Sequence, residues 1–140
     1  MTATRLSVAT TVAVPVERAW ACWTFPEHIT RWNHAADDWH TPRAENDLRV
    51  GGRFVFRMEA RDGSVGFDFA GDYEAVEPLQ RLVYHLGDDR RVEITFESRE
   101  GGTRVIESFD PDTTHPAEMQ QAGWQAILDN FKRYVEGTAA

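Results

Sequence analysis

The chain has 140 residues and a formal net charge of −8. This length fits one domain, residues 1–140, and the acidic balance argues against nucleic acid and against anionic membrane surfaces as partners. No apolar run approaches the length of a membrane span, so we expect no membrane insertion. The single cysteine, Cys22, cannot form an internal disulfide, which favours a cytoplasmic location.

The first third of the chain predicts one strand, two short helices and a connection. Residues 6–14 alternate with the period of a strand, although their apolar content superficially resembles a secretion signal. Apolar positions in Val16–Thr24 fall at helical spacing, and Pro26 opens a second short helix that ends near Trp32. Residues 33–46 are rich in charge and contain a proline, so we interpret them as an irregular connection.

The middle of the chain predicts an antiparallel meander. Paired glycines and an Asp-Gly pair mark tight turns between short alternating segments. The pattern delimits five of the six expected segments, namely residues 54–58, 67–75, 81–86, 92–96 and 103–109. Short hairpin connections exclude a parallel sheet, which needs long crossovers.

The last part of the chain predicts one long helix. Pro116 occupies a first helical position, Glu118 lies in the favourable first turn, and Gly137 supplies the end. The predicted order is strand, two short helices, six strands, long helix. The predicted fold class is α+β, of the helix-grip type, in which a curved seven-stranded antiparallel sheet surrounds the long C-terminal helix.

A sheet of this width is broader than one helix of about 10–12 Å diameter can cover. Four tryptophans, Trp20, Trp23, Trp32 and Trp39, lie between the first and second predicted strands, and we expect them to form a lid across the open end. The interior then contains either a ligand-sized cavity or side chains that fill it except for a small crevice. An empty apolar cavity is costly, at about 24 cal/mol per Å³.

Four motifs carry a family resemblance. Residues 19–32 have the sequence AWACWTFPEHITRW, residues 47–54 have DLRVGGRF, and residues 71–84 have GDYEAVEPLQRLVY; the closing helix contains Gly123-Trp124. These motifs resemble the family of the activator of the heat-shock protein 90 ATPase, within the START-like, birch-allergen-like superfamily (SRPBCC). The resemblance implies the fold above and a pocket for varied small hydrophobic molecules, with cyclisation in some members. The eukaryotic activator carries a separate chaperone-binding domain for which this chain has no room, so we expect no chaperone interaction.

Glu107 is the most specific candidate for chemistry. It shares a strand face with Val105 and Phe109, and if that face points inward a carboxyl group enters the pocket. The opposite face, which includes Arg104 and Ile106, is equally mixed, so the pattern leaves the orientation of Glu107 open.

Other polar residues offer weaker candidates. His34, His40, Asp37 and Asp38 cluster in sequence, but their spacing fits no standard metal pattern, and we predict no metal. His34 or His40 could act as a general base, because histidine titrates near neutral pH. Cys22 fits a small apolar helix residue better than a nucleophile.

The predicted function is binding of a small hydrophobic or amphipathic molecule between the sheet and the long helix. No cofactor is predicted. The residues expected to contact the ligand are Trp32, His34, Trp39, Phe54, Phe56, Met58, Phe67, Phe69, Tyr73, Glu107, Trp124 and Leu128. One alternative is a cyclase- or hydratase-type enzyme with Glu107 or His34 as acid or base; another is a chaperone-cofactor or interaction role. The pattern also leaves a homodimer open.

Overall fold

A seven-stranded antiparallel sheet forms the body of the protein in the computed structural model, which describes residues 5–87 and 89–137. The strands are β1 (Leu6–Val12), β2 (Trp39–Asn46), β3 (Arg53–Ala60), β4 (Gly66–Glu77), β5 (Arg81–Leu86), β6 (Arg91–Arg99) and β7 (Gly102–Phe109). The helices are α1 (Val16–Thr24), α2 (Pro26–Trp32) and α3 (Ala117–Gly137). The strand order is β1-β7-β6-β5-β4-β3-β2, so the curved sheet is a meander that β1 completes by pairing with β7. This arrangement confirms the predicted helix-grip fold.

One segment of the sequence interpretation is wrong, because residues 33–46 are not wholly irregular. They contain β2, which pairs with β3 alone and is an edge of the sheet. The register shifts between His40 and Arg43, on either side of Pro42. Proline has no backbone N–H, and within sheets it occurs at edges and bulges. The proline that argued against a strand therefore marks a bulged edge strand.

Helix α3 lies along the other edge of the sheet, strand β1. Three side chains of α3 donate hydrogen bonds to alternate backbone carbonyl oxygens of that strand. The pairs are Gln121 Nε2 to Ser7 (2.9 Å), Gln125 Nε2 to Ala9 (3.2 Å) and Lys132 Nζ to Thr11 (2.6 Å). These bonds cover the open edge with a helix and fix the position of α3.

The solid part of the core lies beside this edge. The α3 residues Leu128, Phe131 and Val135 are fully buried. The Phe131 ring is edge-on to the rings of Trp23 and Trp32, with 4.9 Å between centroids in each pair. Because α3 is held against β1, its apolar face fills this side of the concave sheet, and a hollow remains between α3 and strands β3, β4 and β5. Among the described residues, no helix is long and apolar enough to cross a membrane.

Candidate functional site

A cavity of about 300 Å³ lies between the concave face of the sheet and α3. This volume is at the lower end of the range for ligand pockets, about 300–1,000 Å³. Its apolar lining residues are Trp23, Ile29, Trp32, Ala35, Phe54, Phe56, Met58, Phe67, Phe69, Leu82, Met119, Gly123, Trp124 and Ile127. Its polar lining residues are Asn33, Tyr73, Tyr84, Glu107 and Gln120.

Two glycines help to shape the cavity. A side chain at Gly71 of β4 would place its Cβ 2.9 Å from the ring of Phe54 and 2.5 Å from the backbone oxygen of His85, so glycine lets that ring lie against the sheet. A Cβ at Gly123 of α3 would meet nothing within 4 Å. The missing side chain at Gly123 therefore leaves space in the helix wall of the cavity.

The next residue of α3, Trp124, forms the adjoining part of that wall. Its ring stacks on Phe109 of β7, with centroids 3.9 Å apart and planes inclined by 9°. Phe69 of β4 lies edge-on to the same indole at 6.4 Å. Contacts on two sides fix the indole, so this wall is built from a rigid aromatic surface.

The mouth of the cavity is apolar. Ala35 follows α2, Phe67 lies on β4 and Met119 lies in the first turn of α3. Phe67 is 49% exposed and Met119 is 61% exposed. Large exposed apolar side chains beside a hollow provide an entrance that an apolar molecule can contact from water.

The structure resolves the orientation of Glu107. Along β7 the buried residues alternate, and Glu107 lies on the inward face with Val105 and Phe109. Only 6% of Glu107 is exposed, and its strand neighbours are Val8 of β1 and Ile94 of β6. Burial raises the pKa of Glu107 to about 8. This carboxyl group is therefore predominantly protonated at neutral pH.

Two tyrosines share the cavity wall with this carboxyl group but differ in their hydrogen bonding. The Tyr73 hydroxyl donates to Asn46 Oδ1 (2.6 Å), and Asn46 Nδ2 donates to the backbone oxygen of Thr24 (2.7 Å). Tyr84 is held above its ordinary pKa by burial, with Glu107 and Tyr73 adding to the effect. Burial also raises the pKa of Tyr73. Both phenols therefore keep their protons through neutral pH.

The side chain of Gln120 is committed to local structure. Its Oε1 accepts a hydrogen bond from the backbone N–H of Asp112 (2.7 Å), and its Nε2 donates to the backbone oxygen of His115 (2.8 Å). These bonds hold the loop that precedes α3. The Gln120 amide therefore supports the cavity wall and is not available as a free polar group.

Three predicted ligand contacts lie outside the cavity wall, namely His34, Trp39 and Leu128. Leu128 is fully buried in the solid core, one helical turn after Trp124, because α3 is held against β1. Trp39 begins β2 and packs near Phe67, with ring centroids 6.1 Å apart. The other predicted contacts, from Trp32 to Trp124, line the cavity.

The side chain of His34 does not line the cavity. Its backbone oxygen accepts a hydrogen bond from Asn130 Nδ2 (2.5 Å), and its Nδ1 is buried with no hydrogen-bond partner among the described residues. Burial lowers the pKa of this imidazole, which favours the neutral form. The structure does not bring His34 together with Glu107 in the cavity.

The four tryptophans expected to form a lid lie in three different environments. Trp23 and Trp32 line the cavity, whereas Trp20 packs against Phe96 in the core, with ring centroids 5.3 Å apart. Trp39 lies at the start of β2. Cys22 on α1 is buried, and burial raises the pKa of its thiol, which disfavours a nucleophilic thiolate.

Sequence reasoning missed Leu82 and Tyr84 of β5, although they alternate along a predicted strand. The inward face of β5 could be identified only after its pairing with β4 was known, where Tyr84 lies opposite Tyr73. It also missed residues of the short helices, the following loop and α3. These are Trp23, Ile29, Asn33, Ala35, Met119, Gln120, Gly123 and Ile127.

Comparison with known proteins agrees with the fold. The family model described as "Activator of Hsp90 ATPase homolog 1-like protein" matches residues 13–136. The solution structure of an AHSA1-like protein from Aeromonas hydrophila is 48% identical, with a TM-score of 0.91 over 96% of this chain and 93% of that one. A protein from Cytophaga hutchinsonii is 45% identical, with a TM-score of 0.82 over 95% and 92% of the two chains.

The fold extends to more distant sequences. A protein from Nitrosomonas europaea is 22% identical and has a TM-score of 0.82 over 95% of this chain and 94% of that one. A search of curated proteins found no match. The shared fold is in general a ligand-binding scaffold. The chain belongs to the Activator of Hsp90 ATPase homolog 1-like family, within the START-like (SRPBCC) superfamily.

Proposed function

We propose that this protein binds a small, largely apolar molecule in the cavity between the sheet and α3. The observation that supports the proposal is a hollow of about 300 Å³ with a mostly apolar wall that is rich in aromatic side chains. Left dry and empty, a cavity of this size would cost about 7 kcal/mol at 24 cal/mol per Å³. That cost is comparable to the whole stability of a domain, about 5–15 kcal/mol. Occupation by an apolar molecule would offset it.

The size and shape of the wall limit the ligand. Pockets of this volume enclose most of the surface of a compact molecule with two or three rings. Aromatic side chains such as Phe54, Phe69 and Trp124 present flat faces and edges, which favour ring systems over branched chains. The few polar groups would fix the orientation of the ligand.

Native mass spectrometry of protein purified without added ligand tests the proposal first. Intrinsic tryptophan fluorescence then measures binding of lipophilic ring compounds, because Trp23, Trp32 and Trp124 line the cavity. We expect a co-purified mass or saturable fluorescence changes in the micromolar range. Neither a bound mass nor a saturable change with any ring compound would contradict the proposal.

A matched pair of variants on α3 localises the binding. Gly123→Leu should reduce binding at least tenfold, because its side chain enters the space where a Cβ meets nothing within 4 Å. Ala122→Leu is the control, since Ala122 is the preceding residue on the exposed side of the helix. Equal binding by both variants would place the ligand elsewhere.

An enzymatic role in the same cavity is the second candidate. It is favoured by Glu107, whose carboxyl group is buried, open to the cavity and raised in pKa to about 8, close to the range suited to acid–base catalysis. A cyclase- or hydratase-type reaction predicts that Glu107→Gln abolishes turnover while binding persists. If the wild-type protein binds candidate substrates but converts none of them, the enzymatic proposal is wrong and the binding proposal stands.

Other parts of the proposal concern partners and location. We expect no stimulation of a chaperone ATPase, which an assay with purified Hsp90 tests directly. We also propose a cytoplasmic location, which the free, buried thiol of Cys22 supports because a reducing compartment preserves thiols. Cell fractionation with an antibody to the protein would check this.

A further inference from the structure

Glu107 and Tyr84 are polar groups of the cavity wall that form no hydrogen bond to any group within residues 5–87 and 89–137. Glu107 lies on β7 and Tyr84 on β5, and both side chains point to the concave face of the sheet. Tyr73 differs, because its hydroxyl already donates to Asn46 Oδ1 at 2.6 Å. Glu107 and Tyr84 are therefore each able to form a hydrogen bond with a molecule in the cavity.

Both groups carry a proton at neutral pH. Burial raises the pKa of Glu107 to about 8 and the pKa of Tyr84 well above 10, and each therefore presents an O–H group. Both side chains line the same cavity, so each can present its donor to a bound molecule. A protonated carboxyl group and a tyrosine hydroxyl in an apolar site form a pair of donors suited to a carbonyl oxygen.

The charges around the cavity restrict the ligand further. No Lys, Arg or His is among the described residues that line it. The residues that α3 contributes to the wall are uncharged, as are Val8 and Ile94, which pair with Glu107. The titratable wall residues are Tyr73, Tyr84 and Glu107. They are uncharged at neutral pH and become negative, never positive, when they lose a proton. A ligand carboxylate or phosphate would find no cation there and would have to lose its hydration.

We propose that Tyr84 and Glu107 jointly donate hydrogen bonds to the carbonyl oxygen of an uncharged, lipophilic ring compound, such as a cyclic ketone, ester or amide. The inference rests on the proposed function, because it names the chemical class of the molecule that the cavity would hold. In this arrangement the aromatic walls contact the ring skeleton and the two donors set its orientation.

Three probes with one bicyclic skeleton test the inference, namely 1-tetralone, tetralin and 1-aminotetralin. Isothermal titration calorimetry at pH 6.5 and pH 9.5 measures their dissociation constants. At pH 6.5 we expect the ketone to bind at least tenfold more tightly than the hydrocarbon, since two donors gain an acceptor. At pH 9.5 this preference should decrease by about tenfold, because Glu107 loses its proton.

Variants separate the two donors. Tyr84→Phe should reduce the preference for the ketone over tetralin at both pH values. Glu107→Gln keeps an N–H donor without a titrating proton, so the preference should persist and become independent of pH. Ser108→Ala is the control, because Ser108 is the next residue on the outward face of β7, where its hydroxyl meets Ser7.

The outcomes distinguish this inference from the proposed function. If tetralin binds as tightly as 1-tetralone in the wild-type protein, the cavity binds apolar molecules and the inference is wrong. If 1-aminotetralin binds most tightly and gains affinity towards pH 9, Glu107 acts as an anion for an ammonium group and the inference is also wrong. If none of the three compounds binds up to its solubility limit, the inference is wrong, and the proposed function is decided separately by the co-purified mass.

Discussion

Replacing Glu107 with glutamine should change how the stability of the protein depends on pH. Burial raises the pKa of this carboxyl group from 4.5 to about 8. Between these two pH values the folded protein keeps the proton and the unfolded chain has released it. The contribution of Glu107 to stability is therefore fully present below about pH 4.5, and the free energy of unfolding falls as pH rises to about 8. A pKa change of this size corresponds to about 5 kcal/mol.

Urea unfolding of the wild-type protein and Glu107→Gln at pH 5, 7 and 9 measures this effect. The informative quantity is the variant's free energy of unfolding minus that of the wild type, because carboxyl groups elsewhere contribute equally to both and cancel. We expect this difference to increase by about 4 kcal/mol from pH 5 to pH 9. Glu107→Leu, which also lacks the titrating group, should show the same trend if the glutamine variant does not fold. A difference that stays constant across this range would refute the conclusion that the carboxyl group is buried and uncharged.

Three further predictions test the packing around the cavity. Asn46→Ala removes the side-chain hydrogen bonds that join β2 to β4 and to the end of α1, and should lower the free energy of unfolding in urea by about 1–3 kcal/mol; no measurable loss would contradict this. Gly71→Ala places a methyl group 2.9 Å from the ring of Phe54 and should lower Tm or prevent folding. In Gly123→Ala the methyl group meets nothing within 4 Å, and the free energy of unfolding should increase by about 0.5–1 kcal/mol because alanine favours a helix over glycine. Equal thermal shifts for these two alanine variants would show that the two sites are not packed as described. Phe131→Ala opens a void beneath two tryptophans and should cost about 3–5 kcal/mol with a red shift of tryptophan emission; an unchanged emission maximum would argue against this cluster.

Most elements of the fold could be predicted because their signals are local. Strand alternation gives β5, and helical spacing after a proline gives α1 and α2, with bounds that agree with the structure. Strand β2 could not be predicted in this way. Its alternation is interrupted by a bulge, and its pairing with β3 depends on residues distant in the sequence.

The orientation of Glu107 also lay beyond local patterns. Both faces of β7 carry apolar residues, so a period of two cannot select the buried face. The choice is made by pairing with β1 and β6, which places Val105 and Phe109 against the core. Glu107 then enters the cavity because it shares their face.

The sequence by itself determined the order of the strands and helices apart from β2, and the apolar face of α3, because both follow from the spacing of neighbouring residues. Only the tertiary structure decided that Trp124 of this face borders the cavity and that Leu128 fills the core. That division depends on where α3 lies, and the hydrogen bonds that hold it to β1 join residues 114 to 121 positions apart. The same contacts leave a hollow between α3 and strands β3, β4 and β5. A local sequence pattern therefore specifies the walls of the cavity but not the space between them.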